Sequence, residues 1–145
     1  MKKHLILSLL LTGTILFSLS CSKGPGEGGR AGIHGTLYVH NYDATFTSLQ
    51  AIYAAQAENV YIIYGDDITF SKSVKTNYDG TYSFPYLRKG MYTIVTYSKD
   101  TIKYLNGVPS QAGSVITSKT IEVKFKVEIS DRKQEVTCRD TFIIK

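Results

Sequence analysis

The sequence predicts an all-β sandwich. Apolar and polar residues alternate with period two from Ile33 almost to the C-terminus, turn-forming pairs separate the alternating runs, and aromatic side chains supply the bulk of a core. The 145 residues suffice for one domain and are too few for two ordinary ones.

In the first run, Ile33, Gly35, Leu37 and Val39 share one face, and His34, Thr36, Tyr38 and His40 share the other. Val60 to Tyr64 is apolar on both faces, as a central strand would be. Gly65-Asp66-Asp67 makes a turn, Ile68 to Thr76 a third strand, and Thr81 to Tyr86 and Met91 to Tyr97 two more. The clearest alternation sets Ile121, Val123, Phe125, Val127 and Ile129 against Glu122, Lys124, Lys126 and Glu128; Glu135 to Ile144 closes the chain. Seven short strands joined by turns fit a seven-stranded Greek-key sandwich. A domain of about 110 residues buries roughly two thirds of its unfolded surface. Eleven Tyr and six Phe, with no Trp, fill it, so no metal or disulfide is required. Lys72, Lys75, Lys124 and Lys126 are placed to protect sheet edges.

Two connections are long. In Asn41 to Ala57, Phe46, Leu49, Ile52 and Tyr53 recur at helical spacing, which predicts a short helix. As a connection, the segment reads as a plug at one end of the sandwich, with a binding lid as the alternative. Asp100 to Ser114, around Gly107-Val108-Pro109, reads as an exposed excursion.

The N-terminus has a different character. Met1-Lys2-Lys3-His4, an apolar stretch from Leu5 to Leu19, and Ser20-Cys21 have the charge, length and small-residue break of an export signal. The stretch is short for a membrane span, which needs about 20 apolar residues; an uncleaved anchor is the alternative. Ser18-Leu19-Ser20-Cys21 resembles the bacterial lipobox, with its Leu one place nearer the cysteine than is usual. The resemblance implies that residues 1–20 are a lipoprotein signal peptide and that Cys21 is lipidated. Ser22 after it resembles outer-membrane lipoproteins, with the face of that membrane left open. Ser22 to Gly29, four of whose eight residues are Gly, reads as part of a flexible tether over residues 21–32. The domain proper is then 33–145.

Cysteine and charge agree. With Cys21 lipidated, Cys138 has no disulfide partner and reads as a small buried hydrophobe. A Cys21–Cys138 bridge is the alternative. Of 17 basic residues, Lys2 and Lys3 leave with the signal, so 15 face 12 acidic ones, a net of +3. That is too mild and too scattered for a nucleic-acid partner.

The most specific stretch runs from Thr76 to Ile94. Asp79-Gly80 is a hairpin turn pair, with Gly supplying positive φ. Tyr82 and Phe84 enter the core, and Leu87 caps it where the chain crosses between sheets. Gly90 permits the reversal before Tyr92 and Ile94 return to the interior. This spacing, D-G-x-Y-x-F-x-x-L-x-x-G-x-Y-x-I, resembles the carboxypeptidase regulatory-like, or transthyretin-like (prealbumin-like), sandwich. Gly35 to Val39 is similar to that family's first strand and Ala57 to Ile62 to its second. The resemblance implies a fold and no particular activity.

Chemistry is sparse. Hydroxyisourate-hydrolysing relatives end in Tyr-Arg-Gly-Ser, whereas this chain ends Phe142-Ile143-Ile144-Lys145. Ile33 to His40 has no Lys for an adhesin-type isopeptide crosslink. His34 and His40, about 20 Å apart along a strand, cannot share a metal and read as solvent-facing. Asp66-Asp67 and Asp79-Gly80 lack the alternating oxygen ligands of a calcium loop. No catalytic set, phosphate loop or cofactor motif is present. Tyrosine remains: Tyr38, Tyr61, Tyr78, Tyr86, Tyr97 and Tyr104 fall on outward or loop positions, where Tyr serves either recognition or cross-strand pairing. The expectation is a non-enzymatic, membrane-anchored binding or interaction module, its partner a glycan, a peptide or an envelope protein. The alternatives are a structural subunit of a surface fibre or adhesin and, behind it, an enzyme of unrecognised type.

Overall fold

The alternating runs become strands of two sheets. The computed structural model describes residues 23–44, 46–99 and 119–145, with the backbone alone of 104–105 and 108–109. The signal segment and Cys21 lie outside the described residues. In chain order the strands are β1 (Glu27–Tyr42), β2 (Leu49–Ala54), β3 (Asn59–Tyr64), β4 (Lys72–Lys75), β5 (Thr81–Leu87), β6 (Gly90–Lys99), β7 (Tyr104–Leu105), β8 (Val108–Pro109), β9 (Thr120–Ile129), β10 (Glu135–Thr137) and β11 (Thr141–Ile144).

Sheet I is organised on β1. On one side β1 pairs antiparallel with β5 along its first half and with β2 along its second. On the other side it pairs in parallel with β10 and then β11. Sheet II is antiparallel throughout, in the order β4-β3-β6-β9. β7 and β8 form a small separate ribbon in the predicted 100–114 excursion. The chain crosses between sheets at β2–β3, β4–β5, β5–β6 and β9–β10, so neither sheet forms without the other.

The inward faces meet in one core. Ile33, Leu37, Val39, Tyr82, Phe84, Leu87 and Ile143 come from sheet I; Val60, Ile62, Tyr92, Ile94, Val127 and Ile129 come from sheet II. Tyr82 and Phe84 meet edge-on, with ring centroids 6.1 Å apart. Burial of such side chains is worth about 1.5–3 kcal/mol each.

Four expectations need correction. The segment holding Phe46, Leu49, Ile52 and Tyr53 is no helix: Leu49–Ala54 is β2, in a hairpin with the far half of β1. Its helical spacing spans barely two turns, too few to hold a helix without packing. The unpaired backbone of β1 offers a ladder instead, and Asp43 closes the hairpin by accepting from Thr47 N at 2.8 Å and Thr47 Oγ at 3.0 Å. The run Ile68 to Thr76 is strand only over Lys72–Lys75. The run Glu135 to Ile144 is broken: between His34 and Leu37 β1 advances three residues while its partner advances four, from Thr137 to Thr141. The extra residue bulges at Cys138-Arg139-Asp140. Finally, strand β1 begins at Glu27, inside the Gly-rich stretch read as tether.

Candidate functional site

The Thr76–Ile94 stretch is built as a rigid frame. Gly80 has φ +79, and a side chain there would strike the Leu37 carbonyl. Asp79 Oδ1 accepts from Thr81 N at 3.1 Å and Thr81 Oγ1 at 2.7 Å, and these hydrogen bonds hold its carboxyl below the ordinary aspartate range. Tyr82, Phe84, Leu87, Tyr92 and Ile94 are all buried. Tyr86 has φ +63 and forms the extra residue of a bulge. Phe84 pairs with Ile33 and Leu87 with Ala31, so three steps on β5 match two on β1. The bulge turns Leu87 inward and leaves Tyr86 outside.

That frame grips the N-terminal segment. Tyr92 Oη accepts from Gly26 N at 2.9 Å and donates to Arg88 O at 2.7 Å. Arg88 N donates to Gly26 O at 2.8 Å; its guanidinium donates to Gly24 O, 2.8 Å from Nε, and through Nη1 to Glu27 O. Pro25 packs over Gly65 and Gly90. A Cβ on Gly29 would fall inside the Leu87 carbonyl, so only glycine lets the two backbones approach. Glu27 is tied to β4 by Lys72 at 2.6 Å, which lowers its carboxyl pKa. Gly24-Pro25-Gly26-Glu27-Gly28-Gly29 is thus a docked lock, in which Gly26 and Gly29 serve close approach.

Of the tyrosines singled out from sequence, only Tyr61 and Tyr97 meet among the described residues. Tyr38 lies on the outer face of sheet I, stacked on Phe142 at 5.7 Å. Tyr61 lies on the outer face of sheet II, stacked on Phe70 at 4.5 Å and edge-on to Tyr97 at 5.7 Å. Tyr78 is 83% exposed in the β4–β5 turn, and Tyr86 is 71% exposed at the β5 bulge. The side chain of Tyr104 lies outside the described residues.

Around Tyr38 the structure adds residues that alternation did not single out. The register sets Tyr38 between Ala54 and Phe142, and His40 between Ile52 and Ile144. The His40 ring lies 4.5 Å from that of Phe142, and its Nε2 is buried without a hydrogen-bond partner. His40 is therefore half-buried against an aromatic ring, contrary to the solvent-facing expectation. His34 is paired as a strand histidine can be, its Nε2 2.7 Å from Thr137 Oγ1. Ile52 is 55% and Phe142 47% exposed, and Leu49 and Tyr53 are also open. A signal was available: Phe142 alternates with buried Thr141 and Ile143, so it had to face out.

Cys138 is buried beside the Tyr82 hydroxyl, which itself makes no well-formed hydrogen bond. Burial pushes both groups' pKa values up, which keeps the thiol protonated and poorly nucleophilic. Among the described residues no group of three or more His, Cys, Asp or Glu stands close enough to hold a metal ion.

No family model matches the chain, and no curated protein is similar to it. Among solved structures, it is similar to a "putative carbohydrate binding protein" from Pseudomonas aeruginosa. The identity is 15% and the TM-score 0.43, over 83% of this chain and 91% of that one. A likeness of that degree carries no inference about a ligand.

Proposed function

We propose that the chain is a non-enzymatic, lipid-anchored module of the bacterial outer membrane that binds an extended segment of an envelope protein along β2. The observation that carries this reading is the character of β2: among the described residues a sheet-edge strand, with no charged residue, whose Leu49, Ile52 and Tyr53 stand open. An unprotected edge offers a row of backbone donors and acceptors to an added strand. Beside it, Tyr38, His40 and Phe142 supply a rigid aromatic surface for the partner's side chains. The anchor at Cys21 is supported by the lipobox-like sequence before it. The carboxypeptidase regulatory-like assignment is supported by the Asp79-to-Ile94 spacing and by a count that reaches seven when β10–β11 is taken as one interrupted strand and β2 and the β7–β8 ribbon as additions.

The test is a photo-reactive residue at position 52, with one at position 126 on sheet II as control, irradiated in intact cells. One discrete heavier adduct from position 52 alone is the expected result. An adduct at twice the chain's mass selects the fibre-subunit reading, which the same bare edge supports by strand exchange between copies. No adduct, together with a specific hit on a glycan array, overturns the protein-partner reading.

A further inference from the structure

The end of the sandwich where the chain enters is basic. A groove of about 800 Å³ opens there, lined by Lys23, Arg30, Arg88, Lys89, Arg132 and Lys133 and by no carboxylate. Arg88 spends Nε and Nη1 on the lock, whereas Arg30, Lys89, Arg132 and Lys133 are exposed. Acidic groups stand near this end but do not line the groove, and Glu135 among them lies 3.7 Å from His34 Nδ1. Glu27 is held by Lys72, Asp131 Oδ1 accepts from Lys133 N at 3.1 Å, and Asp66 and Asp67 line a separate hollow beyond Pro25.

The lock adds a constraint of length. Gly26 is buried, and the Gly24 carbonyl is held by Arg88, so only three steps along the chain separate Cys21 from a held residue. Three residues span at most about 11 Å. That is close to the screening length of about 8 Å at physiological salt, so a lipid on Cys21 would hold the groove within electrostatic reach of the headgroups.

We infer that this groove docks on the anionic, phosphate-bearing surface of the membrane that holds the anchor, which sets the orientation of the whole domain. The inference rests on the anchor reading of the preceding section. With the groove down, β1 rises from the surface. Its far end, with β2, stands about 40 Å away at the usual rise per residue, presenting the bare edge away from the lipid.

Vesicle sedimentation of the protein from Ser22 to Lys145, which keeps every described residue, tests this without the lipid. It should bind vesicles of phosphatidylglycerol and phosphatidylcholine in equal parts, ignore pure phosphatidylcholine, and be released by high salt. Arg30→Gln with Arg132→Gln and Lys133→Gln should weaken partition about a hundredfold, each charge near an anionic surface being worth about fivefold. Lys99→Gln with Lys119→Gln and Lys145→Gln, an equal loss of charge at the opposite end of the sandwich, should change it little. Matched thermal midpoints would show both triple variants folded. Equal binding to both vesicle types, binding to neither, or equal losses in the two triple variants overturns the inference. So does tight binding of inorganic phosphate or pyrophosphate without vesicle binding, which would make the groove a site for a soluble anion. The mass of the Cys21 peptide from intact cells tests the anchor separately. An unacylated cysteine with selective vesicle binding would remove the anchor and leave the docking surface standing.

Discussion

The two sheets treat their edges differently. Sheet II ends on β4 and β9, and each carries two lysines: Lys72 and Lys75 on one, Lys124 and Lys126 on the other. Charge on an edge makes pairing with a foreign strand costly. In sheet I, β5 has an edge broken by Pro85 and by the bulge at Tyr86, and β11 uses Ile144 N to reach Ser98 Oγ at 2.8 Å. β2 has none of these devices, and no charged residue occurs from Ala44 to Ala57. A chain that guards β4, β9, β5 and β11 and leaves β2 open among the described residues has room there for a partner.

The comparison predicts, first, a large energetic asymmetry between the body and β2. Phe84→Ala should cost about 3–5 kcal/mol in urea unfolding, the usual penalty for emptying a core phenylalanine site. Tyr53→Ala, removing a half-open ring on β2, should stay within about 0.5 kcal/mol. A comparable loss at Tyr53 would mean that β2 is part of the body after all.

A smaller effect belongs to the lock. Gly29→Ala forces a methyl against the Leu87 carbonyl and should cost about 1–3 kcal/mol, as overpacking does. Proteolysis should then cut between Lys23 and Arg30, a stretch that the native lock shields. An unchanged cleavage pattern would show that the segment was already loose.

Edge chemistry itself should be nearly silent in stability. Ile52→Lys should change unfolding by less than about 0.5 kcal/mol, as exposed substitutions do, yet abolish crosslinking from a photo-reactive residue moved to position 50 of β2. The reciprocal change, Lys124→Val with Lys126→Val, should make the protein self-associate through β9 by light scattering. If the lysines can be removed without association, the guarding role assigned to them fails.

The body was legible in the sequence because its signals are local. Alternation in Ile121 to Ile129 and the Asp79-to-Ile94 spacing each encode which side chains face in. β2 was not legible, because an uncharged segment of mixed spacing has no local preference strong enough to choose; the unpaired backbone of β1 makes the choice. The lock was misread for a related reason. Glycine in a flexible linker and glycine in close backbone contact look alike until the opposing surface is known, here Leu87, Arg88 and Tyr92. Binding tyrosines proposed one by one from outward phase could not reveal that Tyr38 and Tyr61 belong to different sheets, since phase says nothing about partners.

The smallest predicted effect is acid sensitivity, and it too separates the regions. Asp79, Glu27 and Glu122 have carboxyl pKa values held down, by Thr81, Lys72 and Lys124 respectively, and all belong to the body. A carboxyl depressed by folding stabilises the native state above its unfolded pKa, and that contribution is lost as pH falls through the folded value. Stability should therefore be level from neutrality down to the ordinary carboxylate range and decline below it. The decline should be shallow, because all three groups sit at the surface, where solvent screens them. Asp79→Asn should flatten part of it, since the amide oxygen can still accept from Thr81 but no longer titrates. Within β2 itself no carboxyl is present to respond. By NMR, the Thr81 amide should titrate below the usual aspartate range while that of Ile52, away from Asp43, holds its shift. If Ile52 moves together with Thr81, strand and body unfold as one unit, and the open edge is no separate arm.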